Sequence, residues 1–444
     1  MDKSRCVREF FKYSVFSVLG TLGVSCYILA DTFFISRGLG VDGLAALNLA
    51  IPVYNFIYGT GLMLGMGGAT KFSICKSQGE TRRMDEIFTI TFWFSVILSV
   101  LFVAVGVFAP EQLALLLKAD ANSEVLSMTT TYLRWLLTFA PAFIINQILL
   151  CFIRNDGNPK LVMGAMLVGS FSNIILDYVF IFPMNMGMFG AILATGLSPV
   201  ISILVMAPHW LGSKKEFHIV RTKWKSDIIK QDISIGFSSF VAQVSAGIVM
   251  IIFNILILGL EGNVGVAAYG VIANIALVIV GIYTGLAQGI QPLISTAYGR
   301  GDEVYIKRIY KYAIATMTAF SVIVYILLVF FATPVVNVFN SEENSMLQEI
   351  AELGIFIYFT SNLFVGYNTI GATYFASVER PVQAQVIALL RGFFLIIPLA
   401  FIMSEFWGMT GVWLVYPITE LIVAIICLAI KRGYDKISIV GDNN

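Results

Sequence analysis

The chain is divided into twelve long apolar segments that are joined by short polar links. A helix that crosses a lipid bilayer needs about 20 mostly apolar residues, and each segment has room for one. Only 12% of the residues are charged, whereas soluble domains carry about 25%. The sequence therefore predicts an all-α polytopic membrane protein with twelve transmembrane helices. The predicted spans are 10–36, 46–70, 86–109, 126–152, 160–182, 188–210, 231–258, 264–295, 307–331, 346–375, 382–402 and 407–430.

The distribution of Lys and Arg predicts the orientation of these spans. Short loops on the cytoplasmic side of a membrane carry an excess of both residues. If the N-terminus is cytoplasmic, cytoplasmic segments hold 24 of the 28 Lys and Arg residues, and external loops hold only Arg37 and Lys118. We therefore expect a multi-pass protein of the cell membrane with both termini in the cytoplasm.

Short motifs recur at an offset of about 220 residues. The G-x-x-x-G motif of 61–65 recurs at 281–285, and Pro159 recurs as Pro381. Each half then holds six spans, and an even number gives two parallel repeats about an axis along the membrane normal. We expect an N-terminal lobe at 1–210, a solvated cytoplasmic linker at 211–230 and a C-terminal lobe at 231–444 with a short cytoplasmic tail.

Two acidic residues, Asp31 and Asp177, fall near the outer ends of spans 1 and 5. A carboxylate inside a bilayer costs about 2.5–3.5 kcal/mol or more, and such residues commonly mark ion or substrate pathways. Asn173 lies one helical turn before Asp177 and shares its helix face. Tyr132 and Thr195 fall at similar depth on spans 4 and 6. These five residues predict one polar, outward-facing cluster that binds a coupling ion.

Other charged residues within spans leave alternatives open. A structural reading pairs Asp31 with Arg134, the obvious basic partner on span 4. Arg391 lies in the middle of a span, where it neutralises an acid in a cavity or extends toward the interface. Glu352 and Glu420 also lie within spans, but the sequence does not indicate which face of the helix they occupy.

The second half offers amides where the first half offers acids. Amides within spans either bridge helices or line a binding cavity, and both roles stay open. The residues that we assign to a substrate cavity are Gln243, Asn274, Gln288, Gln291 and Asn362.

Several classes of protein are disfavoured by what the sequence lacks. It contains no Walker loop, nucleophile elbow or Cys/His metal spacing, so we expect neither an enzyme nor a bound cofactor. The net charge of +1 gives no sign of nucleic-acid binding. Without an ATP site, an ion gradient must drive any transport, and one charge moved through 100 mV supplies about 2.3 kcal/mol.

Four stretches carry a resemblance to a known family. They are ADTFFISRGLGVDGLAAL, GMGGATKFSICKSQGE, FIRNDGNPK and GLAQGIQPLISTAYGRGD. Together they resemble the multidrug and toxic compound extrusion (MATE) transporters, and the Q-G-x-Q-P core of the last is similar to the MepA-like bacterial branch. The resemblance covers essentially the whole chain. It implies twelve spans in two lobes and ion-driven export of bulky organic cations.

The resemblance also assigns roles to residues of the first lobe. It implies that Asp31 is the acid of span 1, and that Asp177, Asn173, Tyr132 and Thr195 match the proton or cation cluster of prokaryotic members. A sodium ion would then be held by Asp31, Asp177 and Asn173.

Two features depart from the family pattern. Members that use sodium carry an acid on span 7, where this chain has Gln243, and this favours the first lobe as the ion site. Some members bend span 1 at a proline, whereas this span offers only Gly20 and Gly23.

These observations predict a monomeric antiporter that exports small lipophilic cations in exchange for protons or sodium ions. The first alternative is a flippase for lipids or lipid-linked saccharides, which would need several basic residues in its cavity for pyrophosphate. The second is a membrane receptor or scaffold that transports nothing, which would need neither buried acids nor a repeat of two lobes.

Overall fold

The computed structural model describes residues 3–119, 122–212, 215–340 and 344–441, with side chains described through Asp435. The described residues form helices and connecting turns, and no strand occurs among them. The long helical stretches are Lys3–Gln78, Thr81–Phe108, Ser123–Thr138 with Ala140–Asn155, Pro159–Ile181, Gly187–Trp210, Ser226–Gly299, Glu303–Phe330, Ser345–Tyr358 with Asn362–Ser377, Pro381–Leu389 with Leu390–Phe394, and Ile396–Gly441.

Three glycines divide the longest stretches into pairs of spans. Gly40 has φ 68° and ψ −154°, Gly262 has φ 62° and ψ −153°, and Gly408 has φ 54° and ψ −135°. This region of φ/ψ is accessible essentially to glycine alone. Divided there, the described chain contains the twelve predicted spans, which are numbered 1 to 12 in chain order from here on. The predicted fold class is confirmed.

Two spans depart from a regular α-helix. Span 4 bends by 47° at Phe139, because Pro141 lies in the first turn of its second segment and cannot donate a helical hydrogen bond. Span 11 contains a π-helical turn at Leu390–Phe394, and such turns often occur at functional positions.

The two ends of the helix bundle differ. We call the end that carries the Lys- and Arg-rich segments 71–83, 211–230 and 300–311 the basic face. The opposite end carries the turns at Gly40, Gly262 and Gly408, and we call it the kink face. Two short helices follow spans 3 and 9 at the kink face, at Pro110–Leu116 and Ala332–Phe339; the sequence did not predict them.

Buried apolar residues form two separate cores. One core is built almost wholly from residues 35–229. The other is built from residues 235–427, and Cys6 and Phe10 of span 1 join it. Each half of the chain therefore has its own interior.

Near the basic face the two halves are in backbone contact. A Cβ atom added to Gly67 of span 2 would lie 1.9 Å from the carbonyl oxygen of Asp232 on span 7. One added to Gly236 would lie 1.8 Å from the carbonyl oxygen of Met63. Only glycine allows helices to approach this closely. An ion pair between Lys71 and Glu379 also joins the halves here.

The segment between spans 6 and 7 is shorter and better packed than expected. Span 7 begins at Ser226 rather than at 231, and residues 213 and 214 lie outside the described residues. Phe217 is fully buried against Phe72, Phe88 and Phe152. No other described residue of 211–225 is buried, and Ile219 and Trp224 are exposed. The segment is therefore largely solvent-exposed, and Phe217 anchors it to the first half. Its role as a linker between two lobes stays a prediction.

Candidate functional site

Asp31 and Asp177 lie side by side inside the first half. Both are buried, with exposures of 7% and 0%, and their carboxyl groups are close enough to interact directly. Two carboxyl groups can hydrogen-bond only if one of them carries a proton to donate. The Oδ1 atom of each has no hydrogen-bond partner, and no ion pair reaches either acid among the described residues. The pair can therefore accept a proton or a small cation.

The other three residues of the predicted cluster adjoin the acid pair. With its amide nitrogen turned toward Asp177, Asn173 donates to Asp177 Oδ2 at 3.0 Å and its oxygen accepts from the backbone N–H of Thr195 at 3.3 Å. The hydroxyl of Thr195 donates to the backbone oxygen of Ala191 at 3.1 Å, and Tyr132 lies beside Thr195 and the two acids. The five residues come from spans 1, 4, 5 and 6, and the fold brings all of them together. Their role in ion coupling stays a prediction.

The basic partner proposed for Asp31 is elsewhere. The side chain of Arg134 is exposed, and no ion pair joins it to an acid in the described part of the chain. The reading of Asp31 as half of a structural salt bridge with Arg134 is therefore wrong.

An aromatic cavity lies beside the acid pair. Its space of about 410 Å³ is partly open to solvent, and it is lined by spans 1, 2, 4, 5 and 6. The hydroxyls of Tyr27 and Tyr54 are hydrogen-bonded at 2.9 Å, and Tyr54 also stacks on Tyr58 and meets Phe143 edge to face. Such a wall attracts organic cations through the faces of its rings.

A second cavity, of about 740 Å³, lies between the halves. Leu62, Met66 and Thr70 of span 2 form one side, and Gln243 and Gln288 line the other. Two of the five predicted cavity residues therefore do line a cavity.

The remaining three predicted cavity residues line neither cavity. Gln291 is fully buried and donates to Thr70 Oγ1 at 2.9 Å, while its oxygen accepts from Asn155 at 2.9 Å. It bridges the halves, as amides within spans often do. Asn362 is buried in the second half, and Asn274 is half-buried on span 8. These three residues line neither of the two cavities described here, and their assignment to a substrate cavity stays a prediction.

Arg391 and Glu420, which the sequence could not place, form a buried network. Arg391 pairs with Glu420 Oε1 at 2.8 Å and donates to Thr369 at 3.0 Å, and Asn368 donates to Glu420 Oε2 at 2.7 Å. Arg391 is the charged residue that lines the cavity between the halves. Glu352 accepts a hydrogen bond from Gln348 at 2.6 Å and lines neither cavity.

A multidentate metal centre is not formed by the described residues, since no group of three or more His, Cys, Asp and Glu side chains occurs among them. A sodium ion at Asp31, Asp177 and Asn173 would rely on carboxylate and amide oxygens, which suit hard cations. The amide oxygen of Asn173 is bonded to the N–H of Thr195 in this structure, so Asn173 would have to turn its amide over to bind sodium. The unpartnered Oδ1 atoms of the two acids are available to a proton or to a cation.

Two staphylococcal multidrug export proteins are similar to this chain over nearly its whole length. The chain is 26% identical over 431 residues to the multidrug export protein MepA of Staphylococcus saprophyticus subsp. saprophyticus, covering 97% of this chain and 94% of that protein. It is 26% identical over 416 residues to MepA of Staphylococcus aureus strain MSSA476, covering 93% and 90%.

Solved structures share the fold. A structure described as the outward-facing conformation of a multidrug resistance MATE family transporter matches with a TM-score of 0.90 at 22% identity, covering 98% of this chain and 96% of that one. A transporter of the same superfamily from Pyrococcus furiosus, described as having a binding pocket of reversed polarity, matches with a TM-score of 0.87 at 24% identity, covering 96% and 95%. The MatE family profile matches twice, at 17–179 and 238–402, and the chain belongs to the MatE family.

Proposed function

We propose that the protein is an antiporter that exports lipophilic organic cations in exchange for protons, or for sodium ions at the same site. The observation that carries this proposal is the buried pair of Asp31 and Asp177. Two adjacent carboxyl groups in an apolar interior cannot both be ionised without a neutralising partner. No basic side chain supplies one among the described residues. The partner we propose is the coupling ion.

We propose that residues 1–210 and 231–441 form two lobes that move relative to each other. The two matches to one family profile support this division, as do the two separate cores. The breaks at Gly40 and Gly262 have nearly the same dihedral angles at equivalent positions of the repeat. Transporters with such repeats alternate access by rocking one bundle against the other.

We propose that the basic face is cytoplasmic, in the cell membrane, so that both termini lie inside the cell. The excess of Lys and Arg on that face supports this orientation. Close contacts such as Gly67 on Asp232 and Gly236 on Met63 then close the cytoplasmic side. The described conformation corresponds to an outward-facing state.

In this state the coupling ion reaches the acid pair from outside. A proton or sodium ion neutralises the pair and removes the negative charge that would hold a cationic substrate. When the lobes open toward the cytoplasm, the ion leaves and the restored charge attracts the next substrate. The tyrosines of the adjacent cavity, Tyr27, Tyr54 and Tyr58, would hold that substrate through cation–π contacts. The names of the staphylococcal relatives support a range of drug-like substrates.

Transport into inside-out vesicles tests this proposal. A proton gradient and a sodium gradient are imposed separately, and uptake of a lipophilic cation such as tetraphenylphosphonium is measured. We expect uptake that collapses when the driving gradient is dissipated. Uptake of an anionic dye in preference to the cation, or movement of lipid alone, would contradict the proposal and would favour the flippase.

A further inference from the structure

Another buried acid, Asp232, lies outside both cavities and outside the cluster described above. It stands near the start of span 7, at the basic face, and only 1% of it is exposed. Its Oδ2 accepts a hydrogen bond from Thr91 Oγ1 of span 3 at 2.6 Å. Its Oδ1 has no hydrogen-bond partner. The sequence gave no reason to single it out, because it falls at the predicted beginning of a span.

Asp232 lies in the contact that closes this face of the protein. Span 2 presses against its backbone at Gly67, where an added Cβ would lie 1.9 Å from the Asp232 carbonyl oxygen. Thr91 belongs to the first half and Asp232 to the second. The bond between them therefore joins the two halves at the basic face.

The charged groups on the surrounding helices are engaged with other partners. Lys71 of span 2 is the basic group that acts on Asp232 electrostatically, but it is ion-paired with Glu379. Glu86 of span 3 pairs with Lys225 at 2.6 Å.

Span 7 and span 11 supply no counter-ion either. The other charged residues in the first turns of span 7, Asp227 and Lys230, are exposed. Span 11 contributes an amide, Gln385, which donates to the backbone oxygen of Ser234 at 2.8 Å. No ion pair reaches Asp232 among the described residues.

The two conformations of a rocking transporter would treat this carboxyl group differently. When the lobes are closed at the basic face, the carboxyl group is excluded from water and its Oδ1 has no hydrogen-bond partner. Burial then disfavours its charged form. When the lobes part, water reaches it and the charged form is stabilised. Closure is therefore linked to the uptake of a proton.

We propose that Asp232 is a second proton-binding site, which takes a proton from the cytoplasm as the lobes close and returns it as they open. This proposal rests on the two-lobe antiporter and its orientation proposed above. The proton at Asp232 enters and leaves on the same side, so it carries no net charge across the membrane. It sets the balance between the two conformations, and acid in the cytoplasm favours the outward-facing one. A single linked proton changes that balance by up to about tenfold per pH unit.

Distances between spin labels on the two lobes test the proposal in the purified full-length protein. Lys160 at the start of span 5 and Val382 at the start of span 11 are exposed and occupy equivalent positions of the repeat. Both are changed to cysteine for labelling, and the exposed Cys26 is changed to alanine. We expect the short-distance population to grow as the pH is lowered from 8 to 5.

Two variants distinguish the effect of the proton at Asp232 from the effect of its hydrogen bond to Thr91. Asp232→Asn keeps the size and an acceptor for Thr91 but cannot titrate, so we expect it to stay in the short-distance state with a shallower pH dependence. Thr91→Val removes the hydrogen bond and keeps the carboxyl group, so we expect it to retain the pH dependence of the parent. The proposal is overturned if Asp232→Asn matches the parent at every pH, or if Thr91→Val abolishes the pH dependence as fully as Asp232→Asn does.

Chemical labelling of the unmodified protein provides a second measurement if Asp232→Asn does not fold. Dicyclohexylcarbodiimide reacts with protonated carboxyl groups in apolar surroundings. We expect an adduct on the peptide that contains Asp232 at low pH, and its loss at high pH; an absence of adduct at low pH overturns the proposal. Neither measurement needs a substrate or a gradient, so their outcome is independent of the vesicle assay that tests transport.

Discussion

Arg391 and Glu420 form a buried ion pair in the second half. Glu420 is 1% exposed, and both Nε and Nη2 of Arg391 contact its Oε1 atom, at 3.0 and 2.8 Å. Removing one partner of a buried ion pair leaves an uncompensated charge and costs about 3–5 kcal/mol. Replacing both by apolar residues costs far less, because no charge is left behind.

We therefore expect Glu420→Gln to lower the thermal melting temperature of the purified protein clearly. The double variant Arg391→Met/Glu420→Leu should recover most of the loss. Glu303→Gln is the matched control, because its pair with Lys307 is exposed at 57% and 47% and such pairs contribute about 0.3–0.5 kcal/mol. A Glu420→Gln protein that melts with the wild type would show that the pair stabilises nothing.

The acid cluster could be predicted from the sequence because depth and helix face were sufficient. Asp31 and Asp177 fall at one depth, and Asn173 lies one turn from Asp177 on the same face. Arg134 was misplaced because depth alone was used for it. It follows Tyr132 by two residues, about 200° around a helix, so a buried Tyr132 directs Arg134 outward.

Asp232 and the partner of Arg391 could not be found in the same way. Their burial depends on which neighbouring helix covers each face, and that is set by contacts between distant parts of the chain. Gly67, which covers Asp232, is separated from it by 165 positions in the sequence.

At the scale of elements, glycine contacts decide how closely the lobes approach. An added Cβ at Gly67 would meet the backbone of Asp232 at 1.9 Å, whereas one at Gly164 of span 5 would meet nothing within 4 Å. Overpacking costs about 1–3 kcal/mol, or roughly 5- to 150-fold in the ratio of closed to open lobes.

We expect Gly67→Ala to shift the labels at Lys160 and Val382 toward long distances and to reduce efflux. Gly164→Ala should leave both unchanged. Equal effects of the two substitutions on the label distances would contradict the role of the Gly67 contact.

The number and positions of the spans could be predicted because the length of each apolar segment can be read from the sequence. The short helices Pro110–Leu116 and Ala332–Phe339 could not, whereas Pro141 marks the position of the bend in span 4. A helix of seven or eight residues is too short for a periodic signal. The anchoring of the segment after span 6 was missed because nothing in the sequence distinguishes the buried Phe217 from the exposed Ile219 and Trp224 of the same segment. The three helices that bury Phe217 are distant from it in the sequence.

At the scale of the whole molecule, the orientation predicts which loops an external reagent reaches. Lys223 lies on the basic face and Lys118 near the kink face, and both are exposed. In a protein in which Cys26 is replaced, Lys118→Cys should react with a membrane-impermeant maleimide in intact cells. Lys223→Cys should react only after the membrane is opened. Labelling of Lys223→Cys in intact cells would refute the proposed orientation.

The proposed cycle as a whole depends on the carboxyl pair at Asp31 and Asp177. Asp31→Asn keeps the size of the side chain and its ability to hydrogen-bond but removes one titratable charge. The variant should fold, reach the membrane and have a melting temperature close to that of the wild type. The reason is that Asp31 has no basic partner among the described residues that the substitution would leave unpaired. Asp177→Asn should behave similarly.

The most direct test is uphill transport of tetraphenylphosphonium by reconstituted Asp31→Asn and wild-type protein under the same imposed ion gradient. We predict that the wild type accumulates the cation and that Asp31→Asn does not. When the cation is present at equal concentration on both sides of the membrane, Asp31→Asn should still exchange it across the membrane. Accumulation by Asp31→Asn at the wild-type rate and to the wild-type level would contradict the coupling role of the pair.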